Sequence, residues 1–250
     1  MTYSKSTDSL TMTVEQMVED TRKVTEYLQA RFNQEKIYLI GQSWGTYLSA
    51  KTIEKYPENY LAYIGIGQIT DHTKSERLAY DYMLKHAKEI GDIDVVEKLT
   101  KHDPYADDFP QLDYLVKVRT AIINKYGIGH LRQGLTFQYI LKSFFVIKGY
   151  TLREKINWFL GADFSMKYLF PILLKDNLFE SSFTFEVPFY VIQGVYDYQV
   201  STVLAKSYLD TINAPKKDFF IFENSAHSPN MEEPEKFIEI IRKIAKENSM

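Results

Sequence analysis

The sequence predicts an α/β protein, a mostly parallel sheet with flanking helices, interrupted by a helical insertion. Three observations carry that expectation. Short apolar runs at Lys36 to Ile40 (KIYLI), Tyr60 to Ile66 (YLAYIGI), Phe189 to Gln193 (FYVIQ) and Asp218 to Phe222 (DFFIF) alternate with segments of helical periodicity. YLAYIGI is apolar at successive positions, as a parallel strand buried on both faces tends to be. Between the second and third runs, a long stretch carries helical spacing and many aromatic residues but no strand pattern. With 250 residues, 45% of them hydrophobic, the chain can bury one substantial core and a smaller second layer. The expected division is a core formed by residues 1–70 and 183–250, with a helical insertion of residues 71–182.

Each element has its own signal. Thr13 followed by Gln16 reads as a capping box, and Val14, Met17, Val18, Thr21, Val24 and Leu28 then recur on one face of an amphipathic helix. KIYLI ends at Gly41, and helical spacing resumes from about Thr46 to Lys55, which makes a strand, a tight turn and a helix. Pro57 and Glu58 close that helix ahead of the second strand. In the insertion, SERLAYDYMLKHAKEI, QLDYLVKVRTAIINKY and LTFQYILKSFFVIK read as helices. Helical spacing from Val203 to Thr211 separates the last two strands. Pro234 opens a final helix with Phe237, Ile240, Ile241 and Ile244 on one face.

Composition removes several classes of function. A formal net charge of −3, with basic residues spread along the chain, gives no field to attract nucleic acid or anionic lipid. There is no long apolar run, and MTYSKSTDSL lacks the apolar core of a signal peptide, so no membrane partner and a cytoplasmic location are expected. The absence of cysteine excludes a disulfide, a thiolate nucleophile and a thiolate metal site. Neither a His/Asp/Glu cluster at ligand spacing nor a phosphate-cradling glycine loop is present, so no metal or other cofactor is expected.

The chemistry is carried by Gly41-Gln42-Ser43-Trp44-Gly45, a G-x-S-x-G pattern at the strand-to-helix junction. A glycine-flanked loop serine would have no special role, but this junction is where a sharp turn lifts a serine hydroxyl above a sheet. Both glycines are expected to be required there, because a Cβ would strike the neighbouring strand or helix. A serine hydroxyl needs a general base, and the base needs an acid to fix its tautomer. His72, His86, His102 and His130 fall in or beside the helical insertion, whereas His227 follows the last strand in a polar loop (ENSAHSPN), which makes it the expected base. Asp197, in GVYD at the end of the preceding strand, is the expected acid, with Asp71 as its rival. Trp44 is expected to supply one oxyanion-hole donor through its backbone N–H. The reaction class is acyl transfer to water.

These residues resemble the α/β hydrolases. G-Q-S-W-G, G-V-Y-D-Y-Q-V and the A-H-S-P-N-M-E-E-P tail are similar to their proline iminopeptidase branch, over nearly the whole chain. Gln42 departs from the more usual glycine of that branch. The resemblance implies an α/β-hydrolase fold with a helical cap, and removal of an N-terminal residue, often proline, from small peptides, with cap carboxylates binding the free amine. No motif identifies those carboxylates: Asp107, Asp108 and Glu180 read equally as solvated loop charges. Phe144, Phe145, Trp158 and Phe159 are candidates for an apolar pocket or for plain core.

The family pattern also includes strands ahead of the elbow and a glycine-rich loop that supplies the second oxyanion donor. Only one helix and one strand precede Ser43 here, and the chain has no Gly-Gly pair. The expectation is of a shortened core with half the oxyanion hole missing, a loss that typically costs about a hundredfold to a thousandfold in turnover. Strand 36–40 would then be an apolar edge open to self-association. Three functions follow: an aminopeptidase acting on short peptides, a carboxylesterase acting on small esters, and a catalytically impaired fragment or ligand-binding remnant.

Overall fold

The computed structural model describes residues 8–132, 142 and 144–248. Helix α1 (Val14–Phe32) leads into β1 (Ile37–Gln42), α2 (Trp44–Lys55) and β2 (Tyr60–Ile66). The helical insertion follows, with α3 (His72–Glu89), α4 (Ile93–Leu99), a π-helical turn (Tyr114–Arg119), α5 (Thr120–Lys125), α6 (Leu152–Lys175) and the short α7 (Leu178–Ser181). The chain then returns through β3 (Phe189–Gly194), α8 (Thr202–Thr211), β4 (Lys217–Phe222), the short α9 (Pro229–Glu232) and α10 (Pro234–Asn248).

The four strands form one parallel sheet in sequence order, β1-β2-β3-β4. Gln42 lies opposite Ile66, Ile66 opposite Ile192, and Gly194 opposite Phe222, so all four strands end at one edge. Period-two alternation divides the sheet's side chains between two cores. Tyr63, Phe189 and Val191 face Val14 and Val18 of α1, Tyr47, Ala50 and Ile53 of α2, and Ala205, Tyr208 and Leu209 of α8. On the other face, Ala62, Ile64, Ile66, Tyr190 and Ile192 pack against Ile240 and Ile244 of α10, with Phe237 and Ile241 alongside, as the final helix's spacing predicts. The first part of the insertion has a third core, built from Tyr80, Met83, Leu99, Phe109, Tyr114, Ile122 and Ile123 among others, whereas Leu169, Leu173 and Leu178 of α6 and α7 join the first core.

Several local expectations are corrected. Thr13 caps α1 by accepting from the Gln16 N–H, but the Gln16 amide turns away and donates to Asp20 Oδ1 at 2.9 Å. The buried face of α1 carries Val14, Val18 and Thr25, while Val24 is exposed. Thr25 is drawn inward because its hydroxyl lies 2.9 Å from the Tyr60 hydroxyl, a buried hydrogen bond that hydrophobic spacing does not anticipate. The stretch QLDYLVKVRTAIINKY is a π-helical turn running into a short α-helix rather than one regular helix. Most of LTFQYILKSFFVIK lies outside the described residues. Within the described residues, no helix is long and apolar enough to cross a membrane.

Candidate active site

The elbow is built by Gly41, Ser43 and the start of α2. Ser43 adopts φ 53° and ψ −122°, outside the regions open to an ordinary side chain, and such strain persists only where the surroundings hold it. They do so by a ladder bond from the Ser43 N–H to the Ile66 carbonyl at 2.9 Å, and by the Thr46 N–H and hydroxyl, which both donate to the Ser43 carbonyl. A Cβ at Gly41 would lie 2.5 Å from the Gly45 carbonyl oxygen, so glycine is needed there. Gly45 is different: a Cβ would meet nothing within 4 Å, which corrects the expectation that both glycines are sterically required. Trp44 is the first residue of α2, and the first N–H groups of a helix have no acceptor within it and sit at its positive end.

The other two predicted residues meet beside the neighbouring strand ends. His227 Nδ1 and Asp197 Oδ2 are 2.8 Å apart, and both side chains are buried. Asp197 is fully occupied as an acceptor. Its Oδ1 takes the N–H groups of Gln199 at 3.0 Å and Val200 at 2.9 Å, and its Oδ2 takes the Gln193 amide at 2.8 Å as well as the imidazole. Gly67, next after β2 as Ser43 is next after β1, has φ +64°, and a Cβ there would lie 2.7 Å from His227 Cε1. Ser43 and His227 thus flank one turn of backbone at the carboxyl edge of the sheet, where ligands of open α/β sheets bind.

The His227 loop is tied down by its own sequence. Glu232 accepts from the Ala226 N–H at 2.8 Å and from the Arg132 N–H, while Glu233 accepts from the Ser225 hydroxyl at 2.6 Å and the Asn224 N–H at 3.2 Å. Gly194 permits the close approach of this loop to β3, since a Cβ there would lie 2.1 Å from the Ala226 carbonyl oxygen.

The remaining candidates separate cleanly. Asp71 caps α3, its Oδ1 accepting from the Lys74 N–H at 2.8 Å, and takes no part in the His227 contact. Asp107, Asp108 and Glu180 are exposed; Asp108 accepts from Gln111 and Glu180 from Asn177. Phe144, Phe145, Trp158 and Phe159 pack on one another, with Phe144 and Trp158 ring centroids 4.8 Å apart. Three contributors escape a reading of motifs. Gln193, Gly67 and His130, whose ring lies 5.6 Å from that of His227, carry no motif, although a glutamine ending an otherwise apolar strand is a signal in itself. Among the described residues, no group of three or more His, Asp or Glu side chains is arranged to hold a metal ion.

The comparisons with known proteins agree with this architecture. The profile of the α/β-hydrolase fold family matches residues 3–234. The probable aminopeptidase YbaC of Bacillus subtilis is 30% identical over 249 residues, covering 98% of this chain and 76% of that protein. A proline iminopeptidase structure from Mycobacterium smegmatis superposes with a TM-score of 0.64 at 13% identity, covering 97% of this chain and 74% of that one. An esterase from Exiguobacterium antarcticum superposes with a TM-score of 0.55 at 15% identity, covering 98% and 78%. The strand-edge site, the family match and the aminopeptidase relative lead to one conclusion: the chain belongs to the α/β-hydrolase fold family and is a hydrolase that resembles the proline iminopeptidases.

Proposed function

We propose that the chain is a serine hydrolase, with Ser43 as nucleophile, His227 as base and Asp197 as acid, acting as an aminopeptidase on short peptides. The observation that carries the reading is the buried 2.8 Å contact between His227 Nδ1 and Asp197 Oδ2, beside the strained Ser43 elbow. An Nδ1–H donated to Asp197 leaves Nε2 unprotonated and able to take the Ser43 proton as the oxygen attacks an acyl carbon. The tetrahedral oxyanion forms near the start of α2, where the Trp44 N–H is the donor. His227 then returns its proton to the leaving amine. Water activated by the same imidazole releases the acyl group from Ser43. The insertion, residues 71–182, serves as the cap over this edge; part of it has a core of its own, and Leu169, Leu173 and Leu178 anchor it in the core beneath the sheet.

Intact-mass labelling with a fluorophosphonate tests the nucleophile, because it needs an activated serine and no knowledge of the substrate. One adduct per chain, absent in Ser43→Ala, is expected; soluble, folded protein that takes no adduct would overturn the assignment. The esterase likeness favours a second reading, a carboxylesterase with the same three residues. Parallel assays on a proline anilide and a short-chain nitrophenyl ester separate the two, since only the peptidase needs a site for a free amine.

A further inference from the structure

Asp197 is held through its neighbours, and those neighbours are held by the insertion. The two N–H groups that grip Asp197 Oδ1 belong to Gln199 and Val200. Gln199 Oε1 accepts from Arg119 Nη1 at 2.7 Å, and the carbonyls of Tyr198 and Gln199 lie 3.4 Å from Arg119 Nη2. Arg119 Nε in turn donates to Glu76 on α3, and both side chains are almost wholly buried, at 7% and 1% exposure. Ser75, beside Glu76, accepts the Ser201 N–H at 2.7 Å. Tyr82, also on α3, stacks on Tyr198 with ring centroids 4.0 Å apart, and the Tyr198 N–H donates to the Ile128 carbonyl at 3.0 Å.

We propose that Arg119, paired with Glu76, is a positioning residue for Asp197, so that the helical insertion sets the geometry of the Asp197–His227 pair. The chemistry favours arginine for this task. A planar guanidinium offers five N–H donors in a fixed fork and can serve a carboxylate on one side and amide oxygens on the other, whereas a lysine ammonium is a point charge. A buried ion pair is a poor source of stability, because desolvation offsets the attraction, but it fixes orientation once its hydrogen bonds are satisfied. Here the orientation fixed is that of the turn carrying the Asp197 donors. The proposal rests on the reading of Asp197 as the acid that orients His227.

Three variants test it. Arg119→Lys keeps a charge for Glu76 but loses the fork. The double variant Glu76→Met/Arg119→Met removes both charges, so that neither is left buried alone. Gln199→Ala leaves the ion pair untouched and decides the matter if either charge variant fails to fold. For each folded variant, proton NMR follows the downfield Nδ1 proton of His227 shared with Asp197, and fluorophosphonate labelling follows Ser43. Expected are a shifted or exchange-broadened resonance and labelling slowed by about tenfold to a hundredfold, the scale at which small misplacements act. An unchanged resonance in a folded variant overturns the proposal whatever the labelling rate. Failure of the unaltered chain to label would be a failure of the Ser43 reading instead, because the resonance reports the Asp197–His227 contact without Ser43.

Discussion

At the residue scale, Gly67 and Gly45 give opposite expectations for the same substitution. In Gly67→Ala, the new Cβ is forced to φ +64° and to within 2.7 Å of His227 Cε1 and 2.9 Å of Nδ1. The strain costs about 1–3 kcal/mol. The larger effect is on the imidazole, which must move, and fluorophosphonate labelling should fall by about a hundredfold in protein that still folds. Gly45→Ala meets open space in the first turn of α2, so unfolding free energy should hold or rise by up to about 1 kcal/mol and labelling should hardly change. Denaturant unfolding and labelling rates on the two variants check both claims. Much of the proposed site is legible in the sequence at this scale. Ser43, Asp197 and His227 each follow a predicted strand, and parallel strands bring their ends to one edge. Gly67 and Gln193 are harder to see, because their importance lies in what they approach, and that depends on register rather than on local pattern.

At the element scale, α3 carries an acid-sensitive group at its start. His72 is buried, its Nδ1 has no hydrogen-bond partner, and burial together with nearby Arg119 and His227 lowers its pKa to about 3. The unfolded chain takes up this proton near the ordinary histidine value of about 6.5, whereas the folded chain resists it. Stability from this site is therefore complete above that pH. It is lost as pH falls toward 3, at up to about 1.4 kcal/mol per pH unit. Urea unfolding at pH 7 and pH 5 should show a clear drop for the native chain and a smaller one for His72→Leu; equal drops would remove His72 from the account. Elements also differ in how readily the sequence shows them. The strands stand out because they are short, apolar and bounded by turns, and α10 because its apolar stripe is continuous. The phase of α1 is misjudged at Val24 because a threonine hydroxyl supplies the buried contact. The capping box of α6, in which Thr151 and Glu154 satisfy each other's backbone N–H groups, is written in the sequence as T-x-x-E yet sits outside the expected helices.

At the scale of the whole molecule, β1 is an edge strand among the described residues, and Ile40 on it is 49% exposed. Such an edge offers unpaired backbone groups to a second copy. Sedimentation velocity should show association that grows with concentration and is weakened by Ile40→Lys; a monomer at every concentration would end the expectation of self-association. The fold class is legible in the order of strand and helix signals. The link between the insertion and the Asp197 turn is not, because Glu76, Arg119 and Gln199 are far apart in sequence and share no spacing.

The pairing of β2 with β3 bears on how the chain reaches its fold. These neighbours in the sheet are separated in the chain by the entire insertion, so their hydrogen bonds close a very long loop. The equilibrium penalty is mild, since each doubling of loop length costs only about 0.6 kcal/mol. Kinetics are affected more, because distant contacts must find each other before they reward the search. With a core of its own, the α3 to α5 part of the insertion can order first and shorten that search. Pulsed hydrogen exchange during refolding should find amides of α3 to α5 protected ahead of those in β2 and β3, and simultaneous protection would place the sheet and the insertion in a single cooperative step.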